Sequence, residues 1–264
     1  MSSLKGHRAL VTGATQGVGR AIAMALAAAG ADIVLHGLRR DAQADETRAA
    51  CASAGVQVAL VEGDLSARPV EDAERLFLDA TAVMPGLDLL VNNAGTCLDT
   101  MHFLDVTPEI FERTLRLNVQ APFYLTQQFA RHWVAEGTQG RVLFTGSING
   151  RLAEANHAAY DTSKGAVEMM VRTLCVALAP KGIRVNGMAP GLVRTPLTEA
   201  FLANPAAMAW MQMHTPNGDV PGPDVCGDAA VFLLGDGARH IHGQMLLVDG
   251  GMSAWQQPDP PAGP

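Results

Sequence analysis

The chain has little of what marks specialised chemistry or location. Cysteine is sparse: Cys51, Cys97, Cys175 and Cys226 stand far apart and fit neither a zinc nor a dithiol spacing, so idle, reduced thiols are expected. The histidines do not cluster. His240 and His242 lie two apart, with no acidic or cysteine partner near them in sequence, and no metal site is expected. Basic residues are outnumbered, 19 Lys and Arg against 26 Asp and Glu, for a net charge of −7. They form no cluster, which argues against a nucleic-acid partner. The longest apolar run, 21–31, is Ala-rich and far short of a membrane span, so no membrane association is expected. Residues 1–8 lack the apolar core of a secretory signal, and a cytoplasmic protein is expected.

What is present is an ordinary globular composition, 48% apolar and 17% charged over 264 residues. Short apolar runs alternate with helical patterns. Strands are expected near 8–12, 33–36, 56–61, 87–91, Arg141–Thr145, 183–188 and Met245–Val248. Helices are expected near 21–29, 41–54, 69–82, 108–117, Ala121–Glu136, 158–179 and Asp224–Leu234. Strands separated by helices of this length imply βαβ units and a parallel sheet buried on both faces. The expected fold is α/β: a single doubly wound Rossmann domain with about seven parallel strands, spanning residues 1–255. An irregular segment near 195–223, rich in Met, Phe and Trp, is expected to form a substrate lid. The Pro-rich tail, 256–264, is expected to be disordered.

Directly after the first strand comes Thr12-Gly13-Ala14-Thr15-Gln16-Gly17-Val18-Gly19, opening a helix. Glycines in that place permit a tight turn and close backbone approach to a pyrophosphate, and the helix N-terminus offers N–H groups and the positive dipole end. The end of the second strand would carry an Asp or Glu if it held unphosphorylated ribose hydroxyls. Here it reads His36-Gly37-Leu38-Arg39-Arg40, with Gly37 in the expected place of the acid. Arg39 or Arg40 would meet a 2′-phosphate, or else are solvated charge. The balance weighs toward NADP(H) over NAD(H).

Tyr160 and Lys164 stand four apart on an expected helix, and so on one face. A phenol with a neighbouring ammonium is a device for moving a proton to or from an alcohol oxygen, because the cation favours the phenolate.

Together the glycine turn, Asn92-Asn93-Ala94-Gly95, Asn118, Ser147, Tyr160-x-x-x-Lys164, Arg184-Val185-Asn186, Pro190-Gly191 with Thr195, and Asp249-Gly250-Gly251 resemble the short-chain dehydrogenase/reductase family over roughly residues 5–253. The resemblance implies roles. Tyr160 would be the general acid/base. Lys164 would bind the nicotinamide ribose and hold Tyr160 toward phenolate. Ser147 would bind the reacting oxygen, and Asn118 would anchor a water chain to Lys164. For the dinucleotide it implies Gly13, Thr15, Gln16, Gly17, Val18 and Gly19; Asp64 and Leu65 at the adenine; Asn92, Ala94 and Gly95 beneath the ribose; and Pro190, Gly191, Val193 and Thr195 at the nicotinamide. Three features depart from the pattern: Gly187 in place of Ala, Gly146 before Ser147, and a short 216–225 segment without the usual Arg.

These residues point to an NAD(P)(H)-dependent oxidoreductase interconverting a secondary alcohol and a ketone. The polar stretch 149–157 contributes Asn149, Glu154 and His157 as candidate substrate contacts, and Met211 is a candidate from the lid. A sugar, polyol or hydroxy acid is favoured over the runner-up, a 3-oxoacyl-thioester; a non-catalytic dinucleotide-binding regulator is the distant alternative. The expected helices Ala121–Glu136 and 158–179 are apolar on more than one face. By the resemblance they would form a homodimer contact within a dimer or tetramer.

Overall fold

The computed structural model describes residues 3–254; the tail expected to be disordered, 256–264, lies outside them. Seven strands form one sheet in the order β3-β2-β1-β4-β5-β6-β7, every neighbouring pair parallel. They are β1 Arg8–Val11, β2 Asp32–Gly37, β3 Val58–Glu62, β4 Leu89–Asn92, β5 Arg141–Thr145, β6 Arg184–Pro190 and β7 Met245–Val248. The chain leaves β1 for β2 on one side and returns to β4 on the other. Strand order therefore reverses between β1 and β4, and the carboxyl ends there open a crevice.

Strand residues alternate between two cores, as the two-residue pleat requires. Leu10, Leu90, Val142 and Phe144 face one side, with Leu76 of α3 (Pro69–Val83), Phe129 and Trp133 of α5 (Ala121–Glu136), and Val171 of α6 (Ala158–Leu178). Ala9, Val11, Leu89 and Leu143 face the other, with Ile22 and Leu26 of α1 (Gly17–Ala28), Cys51 of α2 (Ala42–Ala52), and Ala230 and Leu234 of α9 (Asp224–Leu234). Trp133 is fully buried and satisfies its indole N–H on the Leu87 carbonyl at 2.7 Å. Among the described residues no helix is long and apolar enough to cross a membrane.

The elements differ from expectation mainly at their ends. Helix α1 begins at Gly17, four residues earlier than the Ala-rich run, because Gly17 adopts φ +55° and turns the chain straight into the helix. Helix α4 (Pro108–Leu115) gives way to a π-helical stretch, Arg116–Gln120, in which the Ala121 N–H donates to the Arg116 carbonyl five residues back. Pro122 has no N–H to donate to the Asn118 carbonyl, which favours the wider turn. Gly187 and Gly146 also acquire a reason. A Cβ on Gly187 would lie 2.5 Å from the Met245 Cε, and one on Gly146 would lie 3.1 Å from the same atom. The two glycines make room for one long side chain on β7.

The lid comprises two short helices, α7 (Glu199–Leu202) and α8 (Pro205–Met213). Leu202, Met211 and Val220 bury one another in a small separate core. Met211 is therefore occupied in packing the lid together.

Candidate active site

The glycine turn sits at the strand-order reversal and is shaped by close approach. A Cβ on Gly13 would lie 2.9 Å from the Ala94 Cα, and one on Gly19 would lie 2.1 Å from the Gly13 carbonyl oxygen. Thr12 Oγ1 accepts from the N–H groups of Asn93 (2.9 Å) and Ala94 (3.0 Å), fastening the β4 exit to the turn. Asn93 donates to the Thr12 and Gly13 carbonyls. Helix α1 has no side-chain cap and no acid in its first turn, so its leading N–H groups are left for an anion. This cradle fits a dinucleotide pyrophosphate. Thr195 packs over Gly17, 3.6 Å from where its Cβ would be, and its N–H is held by Thr198 Oγ1. Val18 and Leu65 belong to the two cores, and Val193 is buried.

At the end of β2, a Cβ on Gly37 would lie 2.5 Å from the Thr15 Cγ2, which leaves no room for the acid that the family's NAD pattern would place there. Arg39 and Arg40 are exposed, near Asp41 and Asp45 respectively. The tertiary structure nevertheless brings a carboxylate to this corner: Glu62, at the end of β3, accepts the Arg40 N–H at 2.9 Å. His36 is buried. Its Nδ1 accepts the Gly13 N–H at 3.4 Å, so its Nε2 carries the proton and donates to the Gly63 carbonyl at 3.0 Å. Burial pushes its pKa down to about 4, against the raising effect of the Gly63 bond. Asp64, just beyond, accepts from the Ser66 N–H and hydroxyl.

Tyr160 lies in the first turn of α6 and is half-buried, while Lys164 one turn on is buried. The Lys164 ammonium sits 5.4 Å from the Tyr160 ring centroid and donates to the Thr145 carbonyl at 3.1 Å. Burial pushes the phenol up to about 12. The Ser147 hydroxyl pulls it the other way, while Cys97, Asp161 and Glu154 add to the rise. Burial pushes Lys164 down to about 8. Burial thus works against the charged form of each group, raising the phenol and lowering the ammonium.

Ser147 ends the β5 exit and caps the short turn Ile148–Gly150, accepting the Asn149 N–H at 3.1 Å. Asn149 donates to Glu154 (3.0 Å) and to Asp161 (2.8 Å), and His157 Nδ1 lies 3.0 Å from Glu154 Oε2. The polar stretch is therefore a connected network with two carboxylates, the second of them contributed by α6.

Asn118 does not point into solvent. Its Oδ1 accepts the Thr96 N–H at 2.8 Å, and its Nδ2 donates to the Thr96 carbonyl (2.8 Å) and to Ser163 Oγ (3.0 Å). The Ser163 hydroxyl donates to the Tyr160 carbonyl at 2.6 Å. Asn92 donates to Thr126 Oγ1 of α5, so its side chain ties β4 to that helix. Ala94 and Gly95 lie beside the turn, and a Cβ on Gly95 would be 3.2 Å from Asn118 Oδ1. A Cβ on Gly191 would be 2.9 Å from the Asp249 Cβ, packing Pro190-Gly191 against the β7 exit. Sequence reasoning gave no role to Asp99, His36, Asp161 or Ser163. Asp99 and His36 meet their partners across the fold, and no local spacing marks any of the four.

The chain is similar to known proteins over nearly its whole length. A family model described as enoyl-(acyl carrier protein) reductase matches residues 13–253. The chain is 32% identical over 250 residues to glucose 1-dehydrogenase of Gluconobacter oxydans, covering 95% of this chain and 93% of the other. It is 32% identical over 252 residues to L-rhamnose 1-dehydrogenase (NADP(+)) of Thermoplasma acidophilum, covering 96% and 98%. It superposes with a TM-score of 0.89 on a gluconate 5-dehydrogenase from Burkholderia cenocepacia, solved in complex with NADP and tartrate, at 31% identity and covering 96% and 98%.

Proposed function

Because the chain belongs to the short-chain dehydrogenase/reductase family, we propose that it interconverts a secondary alcohol and a ketone on a small polyhydroxy substrate, with Tyr160 as general acid/base. The observation that carries this reading is the convergence of Ser147, Tyr160 and Lys164 beside the glycine cradle. The nicotinamide dinucleotide supplies or accepts the hydride. Tyr160 gives or takes the hydroxyl proton, and Ser147 donates a hydrogen bond to the oxygen as charge develops on it. Lys164, whose ammonium lies over the phenol ring, stabilises the phenolate when it forms and binds ribose hydroxyls. Asn118 holds the loop that passes beneath them.

NADP(H) is favoured over NAD(H). Gly37 leaves no space for a ribose-binding acid on β2, Glu62 is already engaged by the Arg40 N–H, and two guanidiniums stand at that corner. On the substrate side, Glu154 and Asp161 set two carboxylates next to Ser147 and Tyr160, while Arg151 is held on Glu168. That balance favours a neutral sugar or polyol over a hydroxy acid. A second reading, an acyl-thioester reductase, is favoured only by the description of the matching family model.

The reading extends to a cytoplasmic homodimer or homotetramer. The four unpaired thiols suit a reducing compartment. Phe123 of α5 and Met169 and Val176 of α6 are exposed apolar residues on the two helices concerned, and burying them against a second copy would remove that surface from water.

The test is a panel of neutral sugars, polyols, hydroxy acids and 3-oxoacyl thioesters with both cofactors, followed by nicotinamide absorbance. Tyr160→Phe should abolish turnover and leave cofactor binding nearly unchanged. Retained turnover in that variant overturns the mechanism, and thioester reduction without any polyol activity reverses the ranking of substrates.

A further inference from the structure

The helix that carries Tyr160 and Lys164 lacks a cap of its own: His157, at its N-cap position, makes no side-chain hydrogen bond to the first turn. Four leading N–H groups of a buried helix need partners. Asp99 supplies one from outside the helix. Its Oδ2 accepts the Ala159 N–H at 2.6 Å, and both its oxygens lie 3.3 Å from the Tyr160 nitrogen. Asp99 is 0% exposed. A fully buried carboxylate is costly unless it is hydrogen-bonded or paired, and none of the ion pairs among the described residues involves Asp99. The backbone amides and the positive end of the helix dipole serve in place of a cation.

The loop that bears Asp99 is fastened at its other end as well. Asn118 grips Thr96 through both of that residue's backbone groups, and the same Asn118 amide donates to Ser163 Oγ, whose hydroxyl donates to the Tyr160 carbonyl. The Tyr160 backbone is therefore bracketed. Its N–H side is held by Asp99 and its carbonyl by Ser163, and both anchors trace to one loop leaving β4. A further bond, from the Met101 N–H to the Asn156 carbonyl at 3.2 Å, joins that loop to the polar stretch before α6.

We propose that Asp99 is a positioning residue for the phenol of Tyr160: it fixes the start of α6 so that the tyrosine meets the reacting oxygen, and its buried charge sits beside the helix turn that carries the proton donor. The proposal rests on the acid/base reading of Tyr160. Displacing a reacting group by an ångström or so costs on the order of a hundred-fold in rate. Removing the negative charge while keeping the shape favours the phenolate and lowers the pH at which it forms. The other charged or titratable groups facing Tyr160 are Lys164, Cys97, Asp161, Glu154 and His157.

The experiment uses the full chain with cofactor and compares Asp99→Asn, Asp99→Ala and Tyr160→Phe with wild type. It reads kcat per cofactor-binding site, the cofactor Kd by fluorescence titration, and the pH profile of alcohol oxidation. Asp99→Ala should lower kcat roughly 10- to 100-fold with the Kd within about two-fold. Asp99→Asn, which keeps an acceptor for Ala159, should recover much of kcat and move the acid limb to lower pH by about half a unit. An unchanged kcat in Asp99→Ala, or an unshifted acid limb in Asp99→Asn, overturns the proposal. If Asp99→Ala binds no cofactor, the limb in Asp99→Asn decides alone. Active Tyr160→Phe would sink the underlying reading instead, which separates the two failures.

Discussion

The Lys164 ammonium lies 5.4 Å from the centroid of the Tyr160 ring and donates to the Thr145 carbonyl. Burial pushes their pKa values apart, to about 8 for the lysine and about 12 for the tyrosine. Burial here works against charge on both groups. Anything that raises local polarity, including a bound ribose and a cationic ring, works in the direction of the catalytic phenolate.

The cofactor-free protein should therefore become more stable when Lys164 is neutralised. Its folded pKa of about 8 lies below its ordinary value of 10.5, so its favourable contribution is present above pH 10.5 and is lost as pH falls through 8. Lys164→Met should raise Tm at pH 7 by roughly 3 °C or more and abolish turnover. Stability should rise from pH 8 to 10 in wild type relative to the variant. A Tm at pH 7 equal to or below that of wild type would count against the burial argument.

His36 sets an acid limit. Its folded pKa of about 4 lies below the ordinary 6.5, so the stability it contributes is intact above pH 6.5 and disappears as pH falls through 4. Protonation puts a second N–H on the ring, facing the Gly13 N–H where Nδ1 now accepts. Denaturant unfolding at a series of pH values should show a steeper loss between pH 6.5 and 4 in wild type than in His36→Gln. Because His36 joins the glycine turn to Gly63, the variant should also bind cofactor more weakly at neutral pH.

The two arginines after β2 can be tested together. Arg39→Ser with Arg40→Ser should raise KM for NADP about ten-fold or more, as expected for loss of charge-assisted bonds to a phosphate, and leave KM for NAD within about two-fold. Equal effects on both cofactors would assign the arginines to solvated charge.

Much of this molecule is written locally. The alternation of apolar runs with helical stretches foretold seven strands and their connections, because a parallel strand must be apolar on both faces wherever it lies. Gly13, Gly17 and Gly19 between a strand and a helix, and Tyr160 with Lys164 one turn apart, are legible because their meaning rests on neighbours within a few residues. Asp99 was not legible. Its partners Ala159 and Tyr160 lie some 60 residues away, and a single Asp in a loop carries no period. Glu62 was missed for the same reason, reaching the end of β2 only through strand pairing. Asn92 sits on β4 at the strand's exit, yet its amide turns to Thr126, a choice made by the packing of α5.

The sequence by itself determined the order of elements, the phosphate-type turn and the presence of a phenol and an ammonium on one helical face, since each follows from backbone geometry and short-range periodicity. Only the tertiary structure decided how those groups behave. It buried Lys164 and half-buried Tyr160, so that desolvation raises the phenol's pKa and lowers the ammonium's. It also brought Asp99, from the loop after β4, and Asn118, from the π-helical stretch, to the turn of α6 that carries Tyr160 and Ser163. Burial and long-range hydrogen bonding depend on where the whole chain goes, and no window of residues contains them.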